Sequence, residues 1–414
     1  MFKNKSLTYF ALILFLIGCS PKAKIGDYTS LQAIKIDIMT LASDEMEGRE
    51  IGTKGEKKAA DYILSRFKNI GLTPGGEGNS FIQAFKRKLS NNPHGEDNGA
   101  GQEITGNNII GIINNNAKET VVIGAHYDHL GYGDFGSLHT GTKEIHNGAD
   151  DNASGVSGVL FLAEAIKKSN LSSYNYLFIC FSGEEKGLWG SNYFVNSTLA
   201  KNYTFNYMIN MDMIGRLNAE RKLSIGGIGT SPIFEKEIDA IKKPEFDIKK
   251  DYSGMAPSDH ASFYNAGIPV LGFFTGQHQD YHKPSDDHQL INYNGLKDVV
   301  NYIHSLVTAL DKKEKLTFIK TKDETQTRMS FSVTMGVMPD YLYDGKGMKI
   351  DGTKDGKPAA LAGLEKGDIL IKMNEYEIID IQAYMKCLSI FKPGQTVDAI
   401  ILRQGKEITK KITF

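Results

Sequence analysis

Five short stretches of this sequence combine residues that can bind a divalent metal. They are His126-Tyr127-Asp128, Asp150-Asp151, Glu184-Glu185, Asp212 and Asp280-Tyr281-His282. Imidazole nitrogens and carboxylate oxygens, without thiolates, suit zinc or a similar metal in a catalytic rather than a structural site. A bridging carboxylate can hold two such ions roughly 3.5–4 Å apart, with a water and a substrate oxygen between them. The residue types therefore predict metal-assisted hydrolysis.

Two pairs of adjacent acidic residues suggest a division of roles within such a site. In Glu184-Glu185, one carboxylate can bind the metal while its neighbour takes a proton from water and later gives it to the leaving amine. In Asp150-Asp151, either residue could be the bridge, and a helix N-cap with a spare surface charge is the alternative interpretation. Asp128 could accept the second N–H of the His126 imidazole, or it could be a solvent-facing loop acid.

The elements that must position these residues form an alternating pattern of strands and helices. Helical patterns follow short apolar runs, which lie at 109–113, 121–123, 176–181, 207–211 and 270–274. Such runs are typical of an α/β fold with a mixed, largely parallel central sheet and helices on both faces. Functional groups in open α/β sheets gather beyond the carboxyl ends of the strands, and four of the runs lead into a metal-binding stretch. The pattern therefore predicts that the five stretches meet.

In this order, the five stretches resemble the motifs of the di-zinc aminopeptidase family. The resemblance rests on His126-Tyr127-Asp128, the segment from Gly148 to Gly155, Ser182-Gly183-Glu184-Glu185, Asn210-Met211-Asp212 and Tyr281-His282. It covers about residues 31–310, and five motifs in one order form a specific signal. The wider family is similar to glutamate carboxypeptidase II, the glutaminyl cyclases and the non-catalytic transferrin receptor. The resemblance implies a zinc-exopeptidase-like fold and two zinc ions.

Position by position, the resemblance also implies a role for each residue. The implied metal ligands are His126 and Asp212 for one zinc ion, Glu185 and His282 for the other, and Asp151 as the bridge. Asp151, rather than Asp150, stands four residues before Gly155, and a cis peptide bond to Asn152 would follow it. Glu184 would be the general base and acid, and Tyr281 would donate its hydroxyl to the tetrahedral intermediate.

The implied reaction removes N-terminal residues from peptides that have a free N-terminus. A hydroxide that bridges the two metals would attack the peptide carbonyl while Glu184 transfers the proton. The alternatives are a carboxypeptidase or dipeptidase on the same scaffold, a glutaminyl cyclase that uses one zinc ion, and a non-catalytic binding protein. A non-catalytic protein is expected to have lost ligands, whereas all five positions are filled here. The net charge of −1, from 48 basic and 49 acidic residues, disfavours nucleic-acid binding.

Residues 1–19 have the features of an export signal. Lys3 and Lys5 form a basic start, and the apolar run at 7–17 is too short to span a bilayer as a stable helix. Leu16-Ile17-Gly18-Cys19 resembles the lipobox of bacterial lipoproteins, which implies cleavage before Cys19 and lipid attachment to its sulfur. Residues 20–30 would then be a tether, and the exported protein would be anchored to the membrane of the bacterial cell envelope. A plain secretory signal is the alternative.

A chain of 414 residues is too long for one ordinary core, and a second, β-rich domain is predicted at its end. The predicted boundaries are 31–311 for the peptidase domain, 312–326 for a charged linker and 327–414 for the second domain. Pro358-Ala359-Ala360-Leu361-Ala362-Gly363-Leu364 and Lys366-Gly367-Asp368 resemble the PDZ domains of bacterial envelope proteases. The resemblance implies a groove that binds the C-terminus of a peptide, with residues 335–338 as its carboxylate loop. A domain that only packs against the peptidase is the alternative.

Overall fold

The computed structural model describes residues 30–88, 102–241, 246–321, 332–340, 343, 345–354 and 356–414. The predicted export signal at 1–19 and nearly all of the tether at 20–30 lie outside these ranges, as does part of the predicted linker. Within the described ranges, no helix combines the length and the apolar character needed to cross a bilayer.

A nine-stranded mixed sheet forms the centre of residues 30–321. Its strands are β1 (Thr73–Pro74), β2 (Ile82–Lys88), β3 (Glu103–Ile113), β4 (Thr120–His126), β5 (Asn175–Phe181), β6 (Phe205–Met211), β7 (Lys222–Gly226), β8 (Asp247–Lys250) and β9 (Val270–Phe274). The order is β1-β3-β5-β4-β6-β9-β7-β8, and β2 pairs with β3. The four central strands β5, β4, β6 and β9 are parallel. The predicted α/β class with a mixed sheet is confirmed.

Parallel pairing is less extensive than predicted, because β3 runs antiparallel to β5 and β7 antiparallel to β9. Residues 114–119 alone connect β3 to β4. A link this short cannot form the crossover that two parallel strands require. β3 therefore runs against the four central strands.

Helices cover both faces of this sheet. They are α1 (Leu31–Leu41), α2 (Lys54–Ile70), α3 (Gly155–Lys168), α4 (Trp189–Asn196), α5 (Phe234–Ala240), α6 (His260–Asn265) and α7 (Tyr293–Leu310). Helices α1, α2, α3 and α7 pack together on one face, and α4 and α6 pack together on the other. Alternate residues of β5 enter the two cores: Tyr176, Phe178 and Cys180 on one side, and Leu177, Ile179 and Phe181 on the other. This two-sided burial explains the continuous apolar runs of the sequence.

A separate antiparallel sheet forms most of residues 332–414. Its strands are β10 (Val337–Pro339), β11 (Met348–Thr353), β12 (Ile369–Met373), β13 (Tyr376–Glu377), β14 (Thr396–Arg403) and β15 (Lys406–Thr413), accompanied by helices α8 (Pro358–Leu361) and α9 (Ile381–Leu388). The order is β10-β11-β12-β14-β15, and β13 pairs with β12. Its core includes Met335, Ile350, Leu370 and Tyr384. The β-rich character of this region is confirmed, and its identity as a PDZ domain stays a prediction.

Candidate metal centre

The turn that carries Asp150 and Asp151 is buried and lies directly before α3. The peptide bond between Asp151 and Asn152 is cis, as the resemblance implies. The Asn152 side chain donates to the carbonyl oxygen of Met211 at 3.0 Å and accepts the backbone N–H of Met213 at 3.2 Å. Asp286 accepts the backbone N–H groups of Asp150 and Asp151, each at 3.0 Å. These bonds fix the turn beside the end of β6, where Asp212 follows.

Asp151 lies between two imidazoles, each facing a different carboxylate oxygen. Its Oδ1 is 3.4 Å from Nε2 of His126, which is also 3.4 Å from Oδ1 of Asp212. Its Oδ2 is 3.3 Å from Nε2 of His282, which is also 3.3 Å from Oε2 of Glu185. Two donor atoms bound to one tetrahedral zinc ion at 2.0–2.2 Å stand roughly 3.3–3.6 Å apart. The donor types and spacings fit two zinc ions bridged by Asp151.

Asp150 is turned away from these imidazoles. Its Oδ1 accepts the backbone N–H of Gly215 at 2.6 Å, and its Oδ2 is 3.3 Å from Nε2 of His278. The backbone N–H of Gly155, at the start of α3, donates to the Asn152 side chain at 3.0 Å rather than to Asp150. Asp150 therefore secures the loop after Asp212, and Asp151 is the residue placed to bridge.

Asp128 lies at the site but makes a different contact from the one predicted. Nδ1 of His126 lies 3.2 Å from the backbone carbonyl oxygen of Asp128 and 3.8 Å from its Oδ1. The Asp128 carboxylate instead accepts the backbone N–H groups of Glu184 and Glu185, at 3.1 and 3.3 Å. Burial raises the pKa of Asp128 to about 7. The nearer carbonyl fixes the imidazole, and the carboxylate positions the glutamate pair.

The two adjacent glutamates have opposite electrostatic environments. Burial raises the pKa of Glu184 well above its usual value, and the charges of Asp212 and Glu185 add to that effect. Burial also acts to raise the pKa of Glu185, but the imidazoles of His282 and His129 outweigh it and lower the pKa well below its usual value. An ionised ligand beside a carboxyl group that can bind a proton matches the predicted roles.

Tyr281 packs its ring on His282, with ring centroids 3.8 Å apart. Burial of the hydroxyl raises the pKa of Tyr281 well above its usual value, and the carboxylates of Asp151 and Glu185 raise it further. The hydroxyl therefore stays protonated at neutral pH. It is able to donate a hydrogen bond, as its predicted role requires.

Arg49 supports the backbone around the site, a role that the sequence did not reveal. It is almost fully buried, and its guanidinium donates to the carbonyl oxygens of Tyr127 at 2.8 Å, Asn147 at 2.6 Å and Gly148 at 2.9 Å. A further bond reaches the carbonyl oxygen of Leu41. Burial lowers the pKa of Arg49 to about 10, so that it remains charged at neutral pH. In a polar stretch of sequence, nothing distinguishes such an arginine from one on the surface.

Ser258 and His129 contact metal-facing carboxylates from outside the predicted set. Ser258 donates to Oδ2 of Asp212 at 2.7 Å and accepts a bond from the Asn210 amide at 2.7 Å. His129 lies 2.9 Å from Oε1 of Glu185, and it was missed at the sequence level. Its only signal is its place three residues beyond His126 in the same loop.

A comparison with known protein families finds a match in the segment that contains these residues. Residues 108–307 match the model of peptidase family M28. The matched segment contains the five metal-facing residues as well as Asp128, Glu184 and Tyr281. The match therefore supports an M28-type peptidase for this part of the chain.

Two curated relatives are similar over the same region. Leupeptin-inactivating enzyme 1 of Streptomyces exfoliatus is 29% identical over 270 residues, which cover 64% of this chain and 53% of that protein. Aminopeptidase YwaD of Bacillus subtilis is 30% identical over 226 residues, which cover 51% of this chain and 46% of that protein. The chain thus spans about half the length of these two relatives.

Solved structures share the fold of about two thirds of the chain. The zinc aminopeptidase BSAP from Bacillus subtilis aligns with a TM-score of 0.54 at 18% identity, over 71% of this chain and 99% of that structure. The glutaminyl cyclase of Porphyromonas gingivalis aligns with a TM-score of 0.54 at 17% identity, over 68% of this chain and 99% of that structure. Because one scaffold carries both activities, the fold alone does not select between them.

Proposed function

We propose that the protein is an exported, zinc-dependent aminopeptidase that removes N-terminal residues from peptides. The observation that carries this proposal is the placement of Asp151 between two His–carboxylate pairs, with one oxygen toward each. The names of the similar proteins, which include aminopeptidases and a zinc aminopeptidase, support the same function. Export rests on the signal-like sequence at residues 1–19.

Each residue of the site has a defined task in this reaction. His126, Asp212, Glu185, His282 and Asp151 would hold two zinc ions, which when bound polarise the scissile carbonyl and lower the pKa of water. Glu184 takes the proton from the attacking water and delivers it to the nitrogen of the leaving amine. Tyr281 donates its hydroxyl to the oxygen that becomes negative in the transition state. Asp128 holds the backbone of Glu184 in place for this transfer.

Replacing the proposed base tests this function directly. The Glu184→Gln variant keeps the shape of the side chain but cannot accept the proton, so we expect normal zinc content and a 10²–10⁴-fold loss of kcat, roughly the contribution of a general base. Hydrolysis of a fluorogenic aminoacyl panel, with chelator and zinc add-back, measures the activity. The exposed Glu77→Gln variant is the matched control. Full activity in a fully metallated Glu184→Gln variant would refute the assignment.

A glutaminyl cyclase is the second candidate, because a cyclase shares the fold. By its family resemblance, a cyclase uses one zinc ion and releases ammonia from an N-terminal glutamine. Ammonia release, together with a single zinc ion per chain, would favour the cyclase over the aminopeptidase. Carboxypeptidase or dipeptidase activity is separated by comparing peptides that have blocked and free N-termini.

We also propose that the second domain, predicted at residues 327–414, is a PDZ domain that binds the C-terminus of a peptide. In support, β10 lies at the edge of its sheet, where an extended peptide can add as a further strand. The candidate carboxylate loop, residues 335–338, overlaps the start of this strand. Fluorescence polarisation with peptides that have free and amidated C-termini tests the proposal. Equal affinity for both forms would argue against carboxylate capture.

The membrane anchor at Cys19 is proposed on the lipobox-like sequence alone. A Cys19→Ala variant should lose incorporation of labelled fatty acid and leave the membrane fraction of the bacterial cell envelope. If the variant stays in the membrane fraction unchanged, the anchor lies elsewhere.

A further inference from the structure

His129 contacts the side of Glu185 that faces away from His282. Its side chain is fully buried, and Nδ1 lies 2.9 Å from Oε1 of Glu185. The other carboxylate oxygen, Oε2, lies 3.3 Å from Nε2 of His282. The two oxygens of Glu185 therefore face two different imidazoles.

The distances decide between two roles for this buried imidazole, as a metal ligand or as a hydrogen-bond donor to one. Donor atoms on one tetrahedral zinc ion stand roughly 3.3–3.6 Å apart. His282 meets that spacing to Asp151 and to Glu185, each at 3.3 Å. His129 does not, because its Nδ1 is 2.9 Å from Glu185 and 3.9 Å from Asp151. The shorter distance is an ordinary hydrogen bond, which favours the donor role.

Tight packing against Gly148 holds the His129 ring in this orientation. Gly148 has φ +57°, and a Cβ atom there would lie 2.5 Å from Cδ2 of His129 and 2.2 Å from the carbonyl oxygen of Asp151. The backbone N–H of His129 also donates to the carbonyl oxygen of Arg49 at 3.3 Å. The ring is thus wedged between the metal-binding turn and Glu185.

We propose that His129 is a positioning residue that orients Glu185 and leaves its Oε2 oxygen for the second zinc ion. The inference deepens the proposed two-metal function and rests on it. With Nδ1–H bonded to Oε1, the carboxylate cannot rotate away from His282 or turn both oxygens toward the ion. Outer contacts of this kind typically contribute about 10–100-fold to metal affinity. The ion held by His126 and Asp212 keeps its own ligands and its affinity.

Zinc affinity in His129 variants tests this role without any need for turnover. In His129→Asn the amide nitrogen is bonded to Cγ, as Nδ1 is, so the donor is retained. His129→Ala removes the donor, and His129→Gln moves it one bond further out. His304→Ala, on α7, is the matched histidine control. Competition with graded chelator, read by metal mass spectrometry, should show one ion bound about 10–100-fold more weakly in the Ala and Gln variants, and near-normal binding in Asn.

The outcomes that overturn the inference are distinct from those that overturn the function. Unchanged affinity in His129→Ala, or equal loss of both ions in the Ala and Asn variants, refutes the positioning role. The Asn–Gln comparison decides the question if His129→Ala does not fold. The visible spectrum of the protein fully loaded with cobalt in place of zinc gives a second test. A change in this spectrum in all three His129 variants, including His129→Asn, would make His129 a ligand and refute the donor role. A wild-type chain that binds one ion would instead refute the two-metal function itself.

Discussion

At the scale of single residues, Asp151 and Asp150 are neighbours in sequence with different surroundings. Asp151 faces His126 with one oxygen and His282 with the other. Asp150 bonds to the backbone of Gly215, on the other side of the turn. Two chemically identical side chains therefore have separate roles, because the turn directs them to opposite sides.

Exchange of each aspartate for asparagine separates these roles. An amide nitrogen cannot bind zinc, so Asp151→Asn should weaken the binding of both ions, whereas Asp212→Asn should weaken one. Asp150→Asn keeps an oxygen that can accept the Gly215 N–H, and we expect two ions per chain. Zinc content after dialysis against a chelator is the measurement. Loss of both ions in Asp150→Asn, with retention in Asp151→Asn, would place the bridge one residue earlier than proposed.

The sequence predicted the metal-facing residues but not the residues that hold them. His126 ends β4, Asp212 follows β6 directly and His282 lies in the loop after β9, so the strand-end rule together with the family resemblance is sufficient to predict them. Arg49 bonds to backbone carbonyls and His129 contacts the Glu185 side chain, and these partners lie in loops that are distant in sequence. A single sequence carries no signal for such contacts. The same limit explains the error in the predicted contact of Asp128.

At the scale of secondary-structure elements, Arg49 ties together three parts of the peptidase fold. Its guanidinium bonds to the end of α1 at Leu41, to the loop after β4 at Tyr127, and to the turn before α3 at Asn147 and Gly148. The second part begins directly after His126, and the third contains Asp151. One buried cation thus links the segments that place His126 and Asp151.

Removal of this cation should destabilise the fold and the metal centre together. Arg49→Met leaves several buried carbonyl oxygens without donors, at a cost of about 1–3 kcal/mol each before relaxation, so we expect a loss of at least about 3 kcal/mol. Arg49→Lys should recover little, because one ammonium cannot reach carbonyls on three elements. Urea unfolding measures the change. The exposed Arg87→Met variant should stay within about 0.5 kcal/mol of wild type, and an equally small effect at Arg49 would contradict the clamp.

Elements with strong local signals were predicted well, and edge elements were not. The sequence predicts helices at 31–41 and 293–310, and α1 and α7 have these bounds, with Ser30 and Asn292 capping their first turns. Strand β8 was missed because Asp247-Ile248-Lys249-Lys250 contains one apolar residue, and an edge strand requires little burial. The direction of β3 was also missed, because it depends on the length of a link rather than on hydrophobicity.

At the scale of the whole molecule, the described residues form two regions with separate cores. The cores around the nine-stranded sheet draw on residues 34–318, and the C-terminal core draws on residues 333–414. Two contacts between the regions are polar, from Lys354 Nζ to the carbonyl oxygen of Ser137 at 2.8 Å and from Lys249 Nζ to that of Tyr343 at 3.2 Å. Contacts of this kind couple domains weakly.

Separate cores predict two thermal transitions that respond differently to metal. A ligand that binds the native state stabilises the region that holds it, so chelation should lower the melting temperature of the peptidase region. The transition of residues 332–414 should not move. Calorimetry of the full chain with zinc, with chelator and after zinc add-back makes the measurement. One transition that shifts as a whole would show that the two regions unfold together.

The complementary experiment perturbs the C-terminal core through Asp368. This almost fully buried carboxylate accepts two bonds from Arg403, at 2.7 and 2.8 Å, and the backbone N–H of Glu365 at 2.9 Å. Burial opposes ionisation, but these bonds lower the pKa of Asp368 below 3.8. Its stabilising effect is therefore complete above pH 3.8 and is lost as the pH falls through the folded-state pKa.

Asp368→Asn should lower the C-terminal transition by roughly 4–8 °C at pH 7, as for one lost buried polar contact in a domain of this size, and by less below pH 3.8. Asp398→Asn removes a surface pair with Lys411 and should have a smaller effect, because exposed ion pairs contribute little. Calorimetry in the presence of zinc resolves both transitions in one scan. In its described hydrogen bonds, Asp368 contacts no residue of the first core. A shift of the peptidase transition in Asp368→Asn would therefore mean that the polar contacts at Ser137 and Tyr343 carry stability between the regions.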